Sequence, residues 1–292
     1  MGCIRRLLAE LGITFSTIAS GLAAILVTSP SDAAFEFIGL GARAGGMGDA
    51  CSATVMGAEG LFWNPASIVW QQGFGLSACM ARPYGFPELE TQSLSAAWGG
   101  RKLGLAGGLT VFGPEAYREV SAIAGLAWRP SRRVSLGTAI RRLSLSVFGV
   151  GDRQWFVFDL GLCATAGETT RMSLWARNAG GTAIDLIGQG GSAALSCRTS
   201  ARVWLSAEVS KEAGLPTGLG VGLEFEPHKG IRLRGGAGGE PERMSIGFGL
   251  ARGACLLDYA AIHHTVLGLS HRISVSLQTR GRDTRSDGVS SP

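Results

Sequence analysis

The sequence predicts an all-β protein built as a fourteen-stranded antiparallel transmembrane β-barrel. The first observation is a period-two alternation of apolar and small or polar residues, repeated in segments of about ten residues from Gln71 onward. The second is composition: 45 of 292 residues are glycine, 46% are apolar and only 17% are charged, which excludes a disordered chain. The third is an amino end with the pattern of an export signal.

The amino end combines a basic pair with an uncharged apolar run. Arg5 and Arg6 precede the run at 11–27, and the small residues at 31–33 have the pattern of a cleavage site. We therefore expect residues 1–33 to be a signal peptide. An uncleaved anchor helix stays open, because the run exceeds the ~7–15 residues of a signal core. No later stretch reaches the ~20 apolar residues of a membrane helix.

The barrel is predicted for residues 71–277. In the segment 217–225, for example, Leu219, Val221 and Leu223 share one face and alternate with glycines. One strand per roughly 15 residues suits transmembrane strands of ~9–11 residues with their turns. We expect the polar tail 278–292 to be disordered. The fourteen candidate strands are 72–81, 89–99, 102–112, 117–128, 133–148, 154–166, 169–178, 190–199, 201–211, 217–226, 230–238, 242–251, 254–263 and 266–277.

The second face of these strands consists mainly of Gly, Ala and Ser. A soluble sandwich or propeller would usually expose Lys, Glu and Thr there, whereas small residues with scattered charges suit the inside of a closed barrel. The apolar face would then meet lipid. The candidate lumen charges are Asp159, Glu208, Glu224, Arg232, Arg234 and Arg272.

Two local features qualify this pattern. The segment 133–148 changes phase between Ile140 and Leu143, which indicates either a β-bulge or a strand that extends beyond the membrane. Aromatic residues near segment ends predict girdles at the membrane interfaces. These are Trp98, Trp128, Trp155, Trp175, Trp204 and Tyr259.

The glycine-rich stretch 39–70 does not have the residues of a nucleotide site. Gly41 and Gly46 have the spacing of a phosphate-binding loop, but Met47 and Gly48 stand where Lys and Ser/Thr are required. Ala44 stands at the third glycine of a dinucleotide motif, and no βαβ unit follows. We expect no bound cofactor.

Metal, catalytic and nucleic-acid sites are equally poorly supported. His263 and His264 are adjacent, so in a strand they point to opposite faces and do not share a metal simply. The six cysteines include no CxxC pair. No nucleophile signature stands out, and the net charge of +5 forms no basic stripe with aromatics. The sequence predicts no metal, no catalytic residues, no nucleic-acid partner and no enzyme activity.

Both ends of the mature chain resemble a known family. The motifs Gly41-Ala42-Arg43, Gly46-Met47-Gly48 and Trp63-Asn64-Pro65-Ala66 resemble the amino-terminal signature of the FadL-like outer-membrane barrels, in particular the PorV/PorQ branch. The segment 256–277 is similar to that family's last hairpin. The chain departs from the family where it continues as a polar tail instead of finishing on an aromatic residue.

The resemblance implies that residues 34–70 form a hatch that plugs the barrel lumen. Glycines suit this role, because a segment inside a narrow lumen needs close backbone approach and turns with positive φ. Arg43 would then need an acidic partner on the wall. Glu224, Glu208 and Asp159 are the candidates.

The resemblance also implies a place and a role. The place is the bacterial outer membrane, in contact with outer-membrane lipid. The role is accessory to protein export in type IX secretion, with exported cargo or secretion machinery as partners. A transport channel for small hydrophobic molecules, such as long-chain fatty acids, is the first alternative, and a structural envelope barrel the second. The motifs are closer to those of the PorV/PorQ branch. The small and polar lumen face argues against a large apolar channel but does not exclude one, because Leu61, Phe62 and Trp63 of the hatch could supply apolar surface.

Overall fold

Fourteen antiparallel strands form a closed barrel in which β1 pairs with β14. The computed structural model describes residues 34–37, 39–179, 187–240 and 242–279. The predicted signal peptide and the tail after Thr279 lie outside the described residues. The strands are β1 Gly73–Arg82, β2 Thr91–Gly99, β3 Leu103–Phe112, β4 Tyr117–Trp128, β5 Val134–Val147, β6 Gly151–Ala166, β7 Thr170–Ala179, β8 Gly190–Ser200, β9 Val203–Glu212, β10 Gly218–His228, β11 Ile231–Gly239, β12 Arg243–Arg252, β13 Cys255–His264 and β14 Gly268–Gln278.

Each strand pairs with the strands that precede and follow it in the chain, so the connections alternate between the two ends of the barrel. We call the end where β1 begins and β14 finishes the proximal end, and the opposite end the distal end. Closure leaves no strand edge unpaired, which a barrel in lipid requires. The predicted fold is confirmed, with all fourteen strands found close to the predicted segments.

The alternation of the sequence becomes an outer and an inner face. The outward side chains are large, apolar and exposed along most of the barrel. The inward side chains are small or polar and largely buried, as the alternating burial of each strand records. Examples of the outward set are Leu94, Leu105, Leu126, Leu160, Leu219, Val221, Ile246, Leu257 and Val275.

The phase change predicted in β5 has a different cause from the bulge considered above. β5 pairs with β4 and β6 without a register shift, so the prediction of a β-bulge is wrong. Leu143 instead turns inward, where it packs with Val157 and Ile187 inside the barrel. β5 and β6 are the longest strands, with 14 and 16 residues.

The aromatic girdle is only partly formed. Trp98 and Trp128 lie on the outer face and are about half exposed. Trp175 is buried inside the barrel, and Trp204 lines an inner cavity at the proximal end. Trp155 faces the ring of Phe35, also inside. The prediction is therefore wrong for these three tryptophans, because it used their nearness to strand ends and ignored the face on which they lie.

The described residues before β1 occupy the interior of the barrel. We call residues 34–37 and 39–72 the lumenal segment. Most of its apolar residues are almost wholly buried, and it contacts strands around the whole barrel. Within the described residues, no helix combines the length and the apolar character needed to cross a bilayer. The elements of the lumenal segment are the short helices α1 Ala42–Gly46 and α2 Gly57–Gly60 and a 3₁₀ turn, Pro65–Trp70.

Candidate functional site

A buried ion-pair chain joins α1 to the wall of the barrel. Arg43 Nε donates to Glu224 Oε2 at 2.9 Å, and Arg43 Nη2 donates to Glu224 Oε1 at 3.1 Å. Glu224 also accepts from Arg234 Nε at 2.7 Å, and Arg234 Nη1 donates to Asp258 Oδ1 at 2.7 Å. Two cations and two anions alternate, so each buried charge has a partner of opposite sign.

A second ion-pair group lies at the turn after α1. Asp49 Oδ1 accepts from Arg272 Nη1 at 2.5 Å, and Arg243 lies 3.6 Å from Asp49 Oδ2. Asp49 has a φ of 60°, in the left-handed region that non-glycine residues seldom adopt. The turn is thus fixed in this conformation by charges on β12 and β14.

Glu208 and Asp159, two other candidate lumen charges, also face inward but have different partners. Glu208 accepts from the backbone N–H groups of Cys51 and Ser52, both at 3.0 Å. Asp159 pairs with Arg141 on its own wall at 2.7 Å. Of the three candidate partners for Arg43, the structure therefore selects Glu224.

Arg232 is the most loosely held of the predicted lumen charges. It lies 3.8 Å from Glu226, and both side chains are partly exposed in the proximal cavity described below. Arg232 is therefore distinct from the buried ion-pair chain, which Arg43, Glu224 and Arg234 form with one another.

Asn64 attaches the start of the 3₁₀ turn to the adjacent wall of the barrel. Its side-chain oxygen accepts from Ala66 N at 2.9 Å, which caps the turn ahead of Pro65. Its amide nitrogen donates to Ser173 Oγ at 2.8 Å and to Leu174 O at 3.0 Å, both on β7. Asn64 is fully buried. The motif thus caps a turn and attaches it to the barrel with one side chain.

Trp63 anchors the same motif within the lumenal segment. Its indole Nε1 donates to Leu40 O at 2.7 Å, and the side chain is almost fully buried. Together with Ala44, Cys51 and Val55 it forms an apolar cluster inside the lumenal segment. Trp63 therefore packs against residues that lie beside and between the glycine motifs at 41–48.

Glycines on the wall lie where the lumenal backbone touches it. A Cβ on Gly222 would collide with Met47, and a Cβ on Gly236 would collide with the backbone of Met47 and Gly48. A Cβ on Gly247 would lie 3.0 Å from Gly46 Cα. Real Cβ atoms do not approach backbone this closely, so side chains larger than hydrogen are excluded from these contacts.

The same contact recurs at the 3₁₀ turn. Gly137 on β5 lies against the backbone of Pro65 and Ala66, with no room for a Cβ. Gly41, at the start of α1, has a φ of 93° and also needs to be glycine. The Gly-rich motif and the Gly-rich wall are thus two sides of one interface.

Glu59 is a buried carboxyl without a complete set of partners. Its Oε1 has no hydrogen-bond partner among the described protein atoms. Burial, with the charge of Asp258 adding to it, raises the pKa of Glu59 to about 7, and nearby Arg43 and Arg234 oppose that rise. The sequence gave no reason to single out this residue.

Two cavities open at the distal end between the lumenal segment and the wall. The smaller, of about 80 Å³, lies against β2 to β5, and half of its lining side chains are apolar. Four of these are the rings of Phe35, Phe37, Phe62 and Phe112. Glu36, Glu119 and Arg141 are also in its lining. We call it the apolar cavity.

The larger distal cavity, of about 370 Å³, lies against β7 to β12. Phe37, Trp63 and Trp175 form its aromatic part. The rest of its lining combines charged and polar residues with glycines and with Leu215, Pro216 and Leu219, so we call it the mixed cavity. Its charged lining residues are Asp49, Arg177, Glu208, Lys211, Glu212, Glu240 and Arg243.

A third cavity, of about 940 Å³, occupies the proximal end. It reaches inward to Arg43, Glu59 and Glu224, so the buried ion-pair chain forms its inner boundary. The lumenal segment thus separates two distal cavities from one proximal cavity.

Comparison with solved structures finds the same fold in hydrophobic-compound channels. The CymD monoaromatic hydrocarbon channel aligns with a TM-score of 0.66 at 14% identity, over 85% of this chain and 99% of that one. The P. putida toluene transporter TodX aligns at 0.60 and 12%, over 84% and 100%. A Pseudomonas aeruginosa FadL homologue aligns at 0.59 and 10%, over 86% and 99%.

At these identities the likeness shows the fold, a fourteen-stranded barrel of the FadL type. One of these three structures is described as a hydrocarbon channel, one as a toluene transporter and one as a FadL homologue, and none of the three descriptions names the PorV/PorQ branch. No protein-family model matches the chain, and no curated protein matches it by sequence. Among the described residues, no cluster of His, Cys, Asp or Glu has the composition of a metal site.

The distal cavities are the part of the site that sequence reasoning missed. Phe37 was not singled out, and Trp175 was assigned to a lipid interface. One signal was available: Trp175 and Arg177 are two residues apart in a strand, so they share a face. A face that carries an arginine suits the lumen better than lipid.

Proposed function

We propose that this protein is an outer-membrane channel for small hydrophobic molecules, without enzyme activity. The observation that carries this proposal is the apolar cavity, a phenylalanine-lined space between the lumenal segment and the wall of a FadL-type barrel. Apolar pockets that convergent aromatic side chains line are typical binding sites for small apolar ligands. The solved neighbours described as channels for monoaromatic hydrocarbons and toluene support the same substrate class.

The outer surface supports placement in a membrane. Large apolar side chains cover the outer face, in an amount unusual for a soluble protein. A closed barrel satisfies its backbone hydrogen bonds internally, as a lipid-exposed structure must. We propose the bacterial outer membrane, where FadL-type barrels reside, with the export signal at 1–33 as the route to it.

In this proposal residues 34–70, which include nearly all of the lumenal segment, are the hatch, and residues 71–277 are the channel wall. Backbone contacts against wall glycines and the ion pairs of Arg43 and Asp49 support this division. The hatch separates the distal cavities from the proximal one. Passage of a ligand therefore requires a route around or through the hatch.

The PorV/PorQ-type export role stays a prediction from the motifs at 41–48 and 63–66. The comparisons give it no support, and cargo or secretion machinery as partners rests on that resemblance alone. A structural envelope barrel stays the second alternative. The apolar cavity favours the transport proposal, because neither alternative role requires such a space.

Uptake measurements in cells test the proposal. The chain would be expressed in a Gram-negative strain that lacks its own FadL-type channels, and uptake of radiolabelled toluene would be compared with that of the empty strain. We expect a several-fold increase, together with heat-modifiable gel migration in the outer-membrane fraction. Unchanged uptake by a correctly assembled barrel would contradict the channel role, and a soluble product would contradict the membrane placement.

A matched pair of variants links uptake to the cavity. Ser121 lines the apolar cavity, whereas its neighbour Ala122 is exposed on the outer face. Ser121→Phe fills the cavity and is expected to lower uptake about tenfold, while Ala122→Phe leaves it unchanged. Equal uptake by both variants would show that the apolar cavity is not on the route.

A further inference from the structure

Among the described residues, two belong to the lining of both distal cavities. These are Phe37, in the lumenal segment, and Arg177, near the distal end of β7. On one side of Phe37 lie the other phenylalanines of the apolar cavity. On the other side lie Trp63, Trp175 and the charged wall of the mixed cavity. The ring of Phe37 therefore lies at the boundary between the two.

The ring of Phe37 is held from several sides. It meets the ring of Trp63 edge-to-face, with centroids 5.0 Å apart, and that of Trp175 at 5.1 Å. The guanidinium of Arg177 lies over the same ring, 5.2 Å from its centroid. Such edge-to-face aromatic and cation–π contacts are attractive and favour this position of the ring. They hold the ring in position through non-covalent contacts alone.

Arg177 is itself fixed to both the wall and the lumenal segment. It is almost fully buried, pairs with Glu212 on β9, and donates to Phe35 O at 3.4 Å. Because Glu212 neutralises its charge, the guanidinium can remain inside the barrel and stay in contact with the ring of Phe37. Removing Arg177 would also leave Glu212 unpaired, so Phe37 is the cleaner position at which to test the boundary.

We propose that Phe37 determines the size of the molecules that the channel accepts. The apolar cavity, of about 80 Å³ and open at the distal end, receives part of a compact apolar molecule of about one ring with Phe37 in place. A longer rigid molecule extends past the ring of Phe37 into the mixed cavity, so it enters only if that ring is displaced. This inference rests on the proposed transport of small hydrophobic molecules and adds the residue that sets their upper length.

Uptake of two apolar probes of different length tests this role. Toluene has one ring, and biphenyl is rigid and about twice as long. Phe37→Ala joins the two cavities, so we expect the ratio of biphenyl to toluene uptake to rise about tenfold over that of the parent chain. Phe37→Leu, a smaller change that keeps the cluster apolar, is expected to raise the ratio about threefold. It also provides a second reading if the alanine variant assembles poorly.

Phe35→Ala is the matched control, because Phe35 lines the apolar cavity alone. It is expected to change the uptake of both probes alike and to leave their ratio near the parent value. Uptake is normalised to heat-modifiable barrel in the outer membrane. An unchanged ratio in both Phe37 variants, with toluene uptake intact, overturns the size role and leaves the proposed function standing. Absence of toluene uptake by the parent chain overturns both.

Discussion

Arg43 illustrates what a charged residue needs inside a barrel. Its guanidinium makes a two-point contact with Glu224 and donates to Thr54 O at 3.1 Å. Arg43→Met removes a cation from the buried chain and leaves Glu224 with Arg234 alone. Breaking a buried ion pair from one side costs about 3 kcal/mol. We expect a clear fall in the midpoint of thermal unfolding, followed by heat-modifiable gel migration.

Arg232→Met is the control for this prediction. Arg232 also faces the lumen, but its ion pair with Glu226 is longer and partly exposed. Such pairs contribute about 0–1 kcal/mol, so the midpoint should hardly move. Equal effects of the two substitutions would mean that the Arg43–Glu224 contact does not hold the lumenal segment in place.

The raised pKa of Glu59 predicts that the stability of the folded protein depends on pH. Its pKa rises from 4.5 to about 7 in the folded protein, so the folded state binds the proton more tightly than the unfolded chain. Stability therefore falls as pH rises from about 4.5 to about 7, by about 3 kcal/mol if the whole shift is expressed. Glu59→Gln should be less sensitive over that window, with the larger gain in unfolding midpoint at pH 8.

Four charges also act on the pKa of Glu59: Asp258 raises it, whereas Arg43, Arg234 and Arg272 lower it. The control Glu88→Gln changes an exposed glutamate in the β1–β2 connection and should keep the pH dependence of the parent. A Glu59→Gln variant that loses stability between pH 5 and 8 as steeply as the parent would exclude Glu59 as the source.

At the scale of single elements, two neighbouring glycines of β11 differ in the space that a side chain would have. A Cβ on Gly236 would collide with the backbone of Met47 and Gly48, whereas a Cβ on Gly235 meets nothing within 4 Å. Gly236→Ala should lower stability by about 1–3 kcal/mol through overpacking. Gly235→Ala should be neutral or slightly favourable, because alanine suits a strand better than glycine.

Protease sensitivity of the lumenal segment gives a second reading of the same pair. If the wall and the lumenal segment touch as described, only Gly236→Ala should expose residues 39–72 to limited proteolysis of the folded barrel. Identical digestion patterns for the two variants would place the lumenal segment elsewhere.

The strands were the part of this molecule most open to prediction. Alternation such as Leu219, Val221 and Leu223 against glycines follows directly from the period of a strand, and it fixed the face as well as the element. The inward position of Glu224 and Arg234 followed from the same rule. The partner of Arg43 did not, because three acidic residues satisfied the sequence argument equally well.

The interior contacts depended on information that a linear pattern lacks. The link from Asn64 to Ser173 spans 109 residues, and nothing local announces it. Trp175 was placed at a lipid interface because its position along the strand was weighed ahead of its face. The cavities arise from side chains on many strands and the lumenal segment together, so they emerged only with the closed barrel.

On the scale of the whole molecule, the outer face should respond to charge according to depth. Leu223 lies midway along β10 and Leu219 near its distal end, and both are exposed on the outside. In a bilayer, arginine at the midplane costs about 2–4 kcal/mol and at the interface about 0–1 kcal/mol. Leu223→Arg should therefore lower the unfolding midpoint in lipid vesicles far more than Leu219→Arg.

The same pair distinguishes a membrane protein from a soluble one. In water both arginines would be solvated and both substitutions nearly silent. Equal unfolding midpoints of the two variants in lipid would therefore count against a membrane-spanning barrel.

The contact between wall glycines and lumenal backbone also bears on how such a protein changes over generations. Side chains at ordinary interfaces can compensate for one another, but Gly222, Gly236 and Gly247 have no atoms left to remove. Any shift in the path of residues 46–48 must be met by a change in the curvature of the wall itself. The lumenal segment and the barrel wall are therefore expected to change together during evolution. A chimera that exchanges the lumenal segment with that of a related barrel should fail to assemble.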